Sequence, residues 1–347
     1  MTFKDFVGQD SVKERLSRDV LGVPSHAYLL TGALGMGKTS FGMALANALL
    51  CKNPTSDGAC GKCNCCMCFM AGTNPDFRRL TIPEDKKQIR VEDVRKQVVG
   101  DVSISSQLSD RKVYMIDGDG LNEEGQNALL KSIEEPPKHV CFIIESSDST
   151  KLLPTVVSRM SEIKLSPLSE NETLEVLTRH VQSMDNDEDI DTSIDSLRML
   201  AAFSGGNPGR AIATLSETDF GKEIEEITNI VLKMPETSIS DIVCDTYNYF
   251  NDNKDRIEEL LLLMLWVFGD LCYLCKSENQ EDTPIRNGKK RQEYISFLKK
   301  NKYITLARLG KAADLTTEFM KRLAVNVSFE SACCNLLIKI KKELTND

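Results

Sequence analysis

The sequence has little excess positive charge. Its 347 residues include 43 Lys and Arg against 52 Asp and Glu, which gives a formal net charge of −9. A chain this acidic is a poor candidate for holding DNA by itself, because neutralising phosphates needs clustered Lys and Arg. If the protein works on nucleic acid, we expect basic partners to make most of the contacts.

The sequence also has no long apolar segment and no features that indicate disulfides. No signal-like apolar stretch follows the first residues, and the longest apolar run, Leu260–Phe268, has nine residues. A membrane-spanning helix needs about 20. We therefore expect a cytoplasmic protein in which Leu260–Phe268 is a core helix. Twelve cysteines without a signal indicate thiols or metal ligands in a reducing compartment rather than disulfides. The histidines His26, His139 and His180 show no ligand spacing.

One segment carries clear chemistry. Residues 32–39 form a complete G-x-x-x-x-G-K-[ST] phosphate loop. Its glycines let backbone N–H groups surround phosphate oxygens, Lys38 reaches the terminal phosphates, and the Thr39 hydroxyl can bind Mg²⁺. The residues assigned to the nucleotide are Gly32, Gly35, Gly37, Lys38, Thr39 and Ser40. The pattern predicts binding of ATP or ADP with Mg²⁺ and leaves hydrolysis open.

The first half of the chain alternates strand-like and helix-like segments. The predicted strands are Ala27–Gly32, Asp76–Ile82, Lys112–Asp117, Val140–Ser146 and Glu162–Leu165. Between them lie the predicted helices Lys38–Leu50, Val91–Val99 and Glu123–Glu135, the last ending at two prolines. This alternation predicts an α/β domain with a parallel sheet and helices on both faces. Ligands bind such sheets at the carboxyl ends of the strands.

The second half is predicted to be helical. The helices expected first are Glu170–Ser183, Ser196–Ser204 and Pro208–Ser216, with an acidic linker at 185–191. Further helices follow, with a polar break near 278–290. We predict three domains: a nucleotide domain at 1–166, a helical lid at 167–217, and an all-helical collar domain at 218–347.

A cysteine cluster occupies residues 51–68. The spacing C-x8-C-x2-C-x2-C places Cys51, Cys60, Cys63 and Cys66 within one short excursion, as a structural zinc ion requires. Cys65 and Cys68 leave the choice of the fourth ligand open. Free thiols and an iron–sulfur cluster are the alternatives. Because the cluster follows the phosphate-loop helix, we predict a zinc knuckle inserted on the surface of the nucleotide domain.

Several further motifs carry a resemblance to a known family. They lie, in order, at 6–9, 25–28, 127–137, 158–160 and 206–210. With the phosphate loop and the knuckle, they resemble the AAA+ subunits of bacterial clamp loaders over about residues 3–215. The resemblance implies an AAA+ nucleotide domain followed by a lid and a collar through which subunits associate.

The resemblance also separates two kinds of subunit. Motor subunits of the gamma and tau type carry Asp-Glu after the third strand, where the Asp helps to hold Mg²⁺ and the Glu polarises the attacking water. Here Asp117 is followed by Gly118. Asp119, Glu123 and Glu124 are possible substitutes that no spacing argument supports. Loss of the base can cost orders of magnitude in rate, so the chain looks like the delta-prime type.

Other roles are implied by the resemblance residue by residue. Arg159 would be an arginine finger that acts on the ATP of a neighbouring subunit. Ser147, or Ser146 beside it, occupies the first-sensor position. Arg210 would contact the γ-phosphate from the lid, and Val7 and Gly8 would line the adenine pocket.

The function implied is that of a delta-prime-like clamp-loader subunit of the DNA polymerase III holoenzyme. Its expected partners are delta and gamma/tau subunits in a hetero-pentamer and, through the complex, the sliding clamp and primer-template DNA, in the bacterial cytoplasm at the replisome. No polymerase chemistry is expected from this chain. The alternatives are an active gamma/tau-type ATPase, a P-loop small-molecule kinase, and a scaffold that binds no nucleotide.

Overall fold

The computed structural model describes residues 1–83, 85–184, 193–217, 220–323 and 328–345. The chain divides into two compact units. The first combines Met1–Asp187 with Leu200–Thr214, and the second combines Glu188–Met199 with Leu215–Asp347. The predicted linker at 185–191 lies outside the described residues, and the predicted three-domain division stays a prediction.

A five-stranded sheet forms the centre of the first unit, in the order β2-β3-β4-β1-β5, and every pairing is parallel. The strands are β1 (Ala27–Thr31), β2 (Phe77–Leu80), β3 (Lys112–Asp117), β4 (Val140–Ser146) and β5 (Ser161–Lys164). The prediction of a parallel α/β sheet is confirmed. The bounds of β3 and β4 match the sequence interpretation, and the ends of the other strands differ by one or two residues.

Helices connect these strands. They are α1 (Asp10–Leu21), α2 (Lys38–Leu50), α3 (Asn64–Met70), α4 (Val91–Val94), α5 (Glu123–Glu134), α6 (Pro154–Val157) and α7 (Glu170–Ser183). The predictions for α2 and α7 match in both bounds, and α5 ends one residue earlier than predicted. The segment predicted as one helix over Val91–Val99 is α4 followed by a π-helical turn. Sequence reasoning placed no helix at α1 or α3.

Apolar side chains cover both faces of the sheet. Val113 and Met115 of β3 pack in a cluster with residues of α1 and α2. Their neighbours Tyr114 and Ile116 pack on the opposite face with Leu129 and other residues of α4, α5 and α6. This period-two alternation gives a three-layer core. Burying each of these aliphatic side chains stabilises the fold by about 1.5–3 kcal/mol.

The remaining helices begin at residue 194. They are α8 (Ile194–Phe203), α9 (Pro208–Glu217), α10 (Phe220–Lys233), α11 (Ile239–Asp241), α12 (Tyr247–Asp252), α13 (Ile257–Lys276), α14 (Arg291–Lys300), α15 (Leu306–Leu323) and α16 (Phe329–Leu344). The run Leu260–Phe268 lies inside α13 and is largely buried, as predicted. The polar break near 278–290 falls between α13 and α14. Among the described residues, no helix has the length and apolar character needed to cross a membrane.

One buried carboxylate holds a loop against the sheet. Asp76 is fully buried just before β2. It accepts hydrogen bonds from the backbone N–H groups of Gln107, Leu108 and Ser109 at 2.6, 2.7 and 2.7 Å. The carboxylate thus satisfies three backbone donors, of which the N–H of Ser109 is buried and the other two are partly buried.

We expect Asp76→Ala to lower the free energy of unfolding by about 3 kcal/mol, because it leaves one buried and two partly buried donors without their charged acceptor. Urea denaturation monitored by circular dichroism measures the change. Asp110→Ala, at an exposed position in the same segment, is the matched control and should change stability by less than about 0.5 kcal/mol. Equal stability of both variants would contradict the anchoring role.

Candidate nucleotide site and cysteine cluster

The predicted phosphate loop connects β1 to α2 at the carboxyl edge of the sheet. α2 begins at Lys38, so its first N–H groups lie at the loop, as an anion site requires. Gly35 and Gly37 have φ angles of 85° and 83°, the left-handed region that favours glycine. The loop therefore has the backbone form that its sequence pattern predicts.

Lys38 is folded back onto its own loop. Its Nζ donates hydrogen bonds to the carbonyl oxygens of Gly32 at 2.7 Å and Ala33 at 3.0 Å. Burial lowers the pKa of Lys38, and the nearby carboxylates Asp119 and Glu145 act against that shift. The ammonium group is thus held at the loop by two carbonyls.

Thr39 contacts a residue that sequence reasoning missed. Its Oγ1 donates a hydrogen bond to Oε2 of Glu145 at 2.7 Å. Glu145 lies in β4, is only 7% exposed, and stands opposite Asp117 in the β3–β4 register. Burial raises the pKa of Glu145, and the bond from Thr39 opposes this. A carboxylate near the end of an otherwise apolar strand was the available sequence signal.

The acids at the end of β3 are engaged in hydrogen bonds and are not free. The residues 118–120 form a 3-10 turn. Asp119 accepts hydrogen bonds from Ser146 Oγ at 2.6 Å and from the Ser147 N–H at 2.9 Å. Burial raises the pKa of Asp119, but these bonds outweigh it and the net shift is downward. Burial, followed by the charge of Asp119, raises the pKa of Asp117.

Gly118 is packed against β4. A Cβ built at this position would lie 2.8 Å from Cγ2 of Ile144 and 3.0 Å from the carbonyl oxygen of Glu145. Such approaches require the surrounding backbone or side chains to shift. The position where family motors carry Glu therefore has no room for a side chain here. Glu123 and Glu124 are exposed in the first turn of α5.

The two predicted sensors lie in different surroundings, the first at the end of β4 and the second in the segment that contains Arg210. The Ser146 hydroxyl is buried and bonded to Asp119, whereas Ser147 is half-buried and contributes its backbone N–H. Asn207 Nδ2 donates to the Leu34 carbonyl at 2.7 Å, and the Gly209 N–H donates to Gly35 at 2.9 Å. The segment containing Arg210 thus contacts the phosphate loop.

The Arg210 side chain itself lies over a ring. Its guanidinium carbon is 4.9 Å from the centroid of Phe203. Gly8, assigned to the adenine pocket with Val7, lies against Leu168 and Glu172. Ser40 and Thr39 line a cavity of about 310 Å³ that α3 also borders.

Arg159 lies near the amino ends of the strands, at the opposite end of the sheet from the phosphate loop. It stands two residues before β5, whose first residue pairs with Tyr28 of the parallel strand β1. The phosphate loop leaves the opposite end of β1, about 13 Å along the strand from Tyr28 at 3.3 Å per residue. Arg159 Nη2 lies 2.9 Å from Glu134 Oε1, and Nη1 donates to the Thr155 carbonyl at 2.8 Å.

Four thiols converge in the knuckle. The sulfur atoms of Cys51, Cys60, Cys63 and Cys66 all lie within 4.8 Å of one another. The separations Cys51–Cys63, Cys60–Cys66 and Cys63–Cys66 are 3.9, 4.0 and 3.5 Å. Tetrahedral zinc with Zn–S bonds of about 2.3 Å needs sulfurs about 3.8 Å apart. The donor set therefore fits a structural zinc ion.

The other two cysteines have different partners. The Cys65 thiol contacts the Leu108 carbonyl at 3.5 Å, and the Cys68 thiol contacts Asn64 Oδ1 at 3.7 Å. Both belong to α3, where Cys66 faces the cluster. The geometry thus selects Cys66 among the candidates that the spacing left open.

Comparison with known proteins shows that this chain is similar to subunits of DNA polymerase III. A family model described as "DNA polymerase III, delta subunit" matches residues 8–169. The delta-prime subunit of Pseudomonas aeruginosa is 38% identical over 185 residues, 53% of this chain and 54% of the relative. The chain is thus similar to the delta-prime, gamma and tau subunits of DNA polymerase III.

Gamma and tau relatives are similar at lower identity. The gamma subunit of Buchnera aphidicola is 30% identical over 67% of this chain and 64% of its own length. The tau subunit of Escherichia coli is 33% identical over 59% of this chain and 31% of its own. The chain thus spans about one to two thirds of the length of these curated relatives.

Among solved structures, two from Thermotoga maritima show a distant likeness. A RuvB variant has a TM-score of 0.43 and 21% identity over 66% of this chain and 65% of its own. A protein related to the DNA polymerase III gamma subunit has a TM-score of 0.39 and 15% identity over 95% and 99%. At these values the likeness says nothing about function.

The part of the chain matched to the DNA polymerase III family holds most of the predicted site. The phosphate loop, the cysteine cluster, Asp117 and Arg159 all lie within 8–169, whereas Arg210 lies beyond it. The structure brings Lys38, Thr39 and Asp117 to one edge and leaves Arg159 at the other. Their functional roles stay proposals.

We expect about one equivalent of zinc per purified chain. Cys66→Ala should reduce it to less than about half an equivalent, because a structural site needs all four thiolates. Cys65→Ala, the matched control next to it, should retain the metal. Inductively coupled plasma mass spectrometry measures the content, and loss of zinc from both variants or from neither would contradict the ligand assignment.

The packing of Gly118 gives a second prediction. Gly118→Ala should lower the free energy of unfolding by about 1–3 kcal/mol, because its Cβ has no space. Gly310→Ala makes the same change in helix α15, where nothing lies within 4 Å of the added atom, and should not destabilise. Paired urea denaturation curves test this, and equal effects would show that Gly118 is not closely packed.

Proposed function

We propose that this chain is a delta-prime-type clamp-loader subunit of DNA polymerase III. It binds ATP or ADP with Mg²⁺ at Gly32–Thr39, hydrolyses it slowly or not at all, and supplies Arg159 to a neighbouring subunit. Its proposed partners are delta and gamma/tau subunits, with the sliding clamp and primer-template DNA contacted through the complex. In this assembly it helps to load the clamp during replication.

The end of β3 is the observation that carries this proposal. A gamma or tau motor needs a carboxylate to polarise water beside the γ-phosphate, and Gly118 occupies that place with no room for a side chain. Asp119, the acid that follows Gly118, is already bonded to Ser146 and Ser147. A site that binds phosphate but lacks an oriented water hydrolyses slowly.

Nucleotide binding is supported by the form of the loop. The N–H groups at the start of α2 and the Lys38 ammonium provide the positive field that polyphosphate needs. Hydroxyl and carboxylate oxygens of Thr39, Asp117 and Glu145 stand at the same edge, and these are the ligand types that Mg²⁺ prefers. Mg²⁺ bound there would neutralise charge on the phosphates.

Action of Arg159 on another subunit is supported by its position. Its own phosphate loop follows the carboxyl end of β1, whereas Arg159 precedes the amino end of β5, which favours action on a neighbouring subunit. The side chain is 34% exposed and paired with Glu134. In the assembled loader, Arg159 would exchange this surface ion pair for phosphate oxygens of the neighbour's nucleotide, which a guanidinium binds in a planar, bidentate way.

An active gamma/tau-type ATPase is the second candidate. The intact Lys38 and Thr39 and the similarity to gamma and tau relatives favour it. Single-turnover hydrolysis of ATP by the purified chain separates the two, with Lys38→Ala as the control. Turnover that depends on Lys38 and proceeds at about 1 s⁻¹ or faster would contradict the inert subunit.

Two more distant candidates make different predictions. A small-molecule kinase would transfer phosphate to an acceptor without partner subunits, and the cysteine knuckle has no role in that chemistry. A scaffold would bind no nucleotide. Titration with a fluorescent ATP analogue tests the scaffold directly, and we expect saturable binding that Lys38→Ala weakens at least about tenfold.

The trans role of Arg159 gives a specific prediction. In a clamp loader reconstituted with delta and gamma/tau subunits, Arg159→Ala should lower the DNA-stimulated ATPase rate by about 10³-fold at the site it serves. The matched control is Arg179→Ala, which removes an exposed arginine paired with Glu175 on α7. Analytical gel filtration checks that both variants assemble. An unchanged ATPase rate in an assembled Arg159→Ala complex would remove the finger assignment.

A further inference from the structure

The contact between Thr39 and Glu145 points to a role that the family resemblance does not contain. We propose that Glu145 positions the Thr39 hydroxyl as a ligand for the Mg²⁺ of a bound nucleotide, a role that rests on the nucleotide binding proposed above. Glu145 thereby brings β4, rather than only β3, into the cation site.

The hydrogen bond has the direction that this role needs. A hydroxyl group has one proton and two lone pairs. Thr39 Oγ1 donates its proton in a hydrogen bond to Glu145 Oε2 at 2.7 Å, so its lone pairs are left to bind a cation. Partners of this kind, behind a metal ligand, fix its orientation and raise its affinity for the metal.

Asp117 has a different hydrogen-bond partner in this structure. Its Oδ1 accepts the N–H of Asp119 at 3.1 Å as part of the turn 118–120. Gly118 in that turn is packed closely against Ile144 and Glu145 of β4. Holding Thr39 thus falls to Glu145, the register partner of Asp117 on the neighbouring strand.

The charges around Glu145 leave it suited to a cation. Arg79 Nη2 forms a long ion pair with Oε1 at 3.9 Å, and the Arg79 side chain is 40% exposed, so Oε2 is the oxygen that Thr39 contacts. Lys38 Nζ is bonded to backbone carbonyls instead of to this carboxylate. Glu145 and Asp117 are close enough to interact electrostatically. Two carboxylates and one hydroxyl therefore share one end of the sheet, with Arg79 and Lys38 as the basic groups that act on Glu145.

A purely structural role predicts something else. A carboxylate near the first turn of α2 also stabilises the helix through its dipole, and its loss would lower stability and weaken nucleotide binding regardless of the metal. A positioning role changes the part of nucleotide affinity that Mg²⁺ provides. The ratio of the ADP dissociation constants in EDTA and in Mg²⁺ separates these two roles.

The test titrates the full chain with a fluorescent ADP analogue in Mg²⁺ and in EDTA. Glu145→Ala should reduce the gain from Mg²⁺ about tenfold and leave the affinity in EDTA unchanged. Glu145→Gln keeps an acceptor oxygen for Thr39 and should recover part of that gain. Glu162→Gln is the matched control, because Glu162 accepts a hydrogen bond from the Thr31 hydroxyl at 3.0 Å on β5. It should behave like the wild type.

Thermal unfolding confirms that each variant is folded. The same Mg²⁺ gain in folded Glu145→Ala as in the wild type would overturn the role of Glu145 while leaving nucleotide binding intact. So would an equal loss of affinity in Mg²⁺ and in EDTA, which a structural role predicts. Absence of ADP binding by the wild type would overturn the proposed nucleotide function itself, and the role of Glu145 with it.

Discussion

The parallel pairing of β3 with β4 is the constraint on which the site depends. The register from Lys112 opposite Val140 to Asp117 opposite Glu145 places two carboxylates side by side at the carboxyl edge. Parallel pairing of β4 with β1 brings the phosphate loop to that same edge. Because one register slip reverses the face of every side chain, the apolar residues that lock it also fix the polar site.

Much of this arrangement was predictable because strong local patterns coincide with buried elements. The bounds of α2, β3 and β4 follow from apolar runs between clear turn signals. Helix α1 was missed although Val12, Leu16 and Val20 recur at helical spacing and are buried. Most of its other positions are polar, and no N-cap side-chain hydrogen bond marks its start. Helix α3 was missed because its cysteines were interpreted only as metal ligands.

The limits at the site have physical causes. The spacing of the cysteines could not separate Cys65 from Cys66, since the choice depends on which sulfur faces inward. It was decided by the turn of α3 and by the Leu108 carbonyl, which is held by the contacts of Asp76. Glu145 escaped notice because a lone acid in a strand has no motif, and its meaning comes from Thr39 across 106 positions. Likewise, the sequence shows a missing acid at Gly118 but not the packing that excludes one.

That packing has an evolutionary consequence. In an ancestor with a side chain at this position, β3 and β4 would have to leave space that Ile144 and the Glu145 carbonyl now fill. With this space filled, replacing Gly118 by an acid would make its side chain overlap with Ile144 and the Glu145 carbonyl. Accommodating an acid at this position would require coordinated changes on two strands. The packing around Gly118 therefore opposes an acidic side chain more strongly than the identity of this one residue indicates.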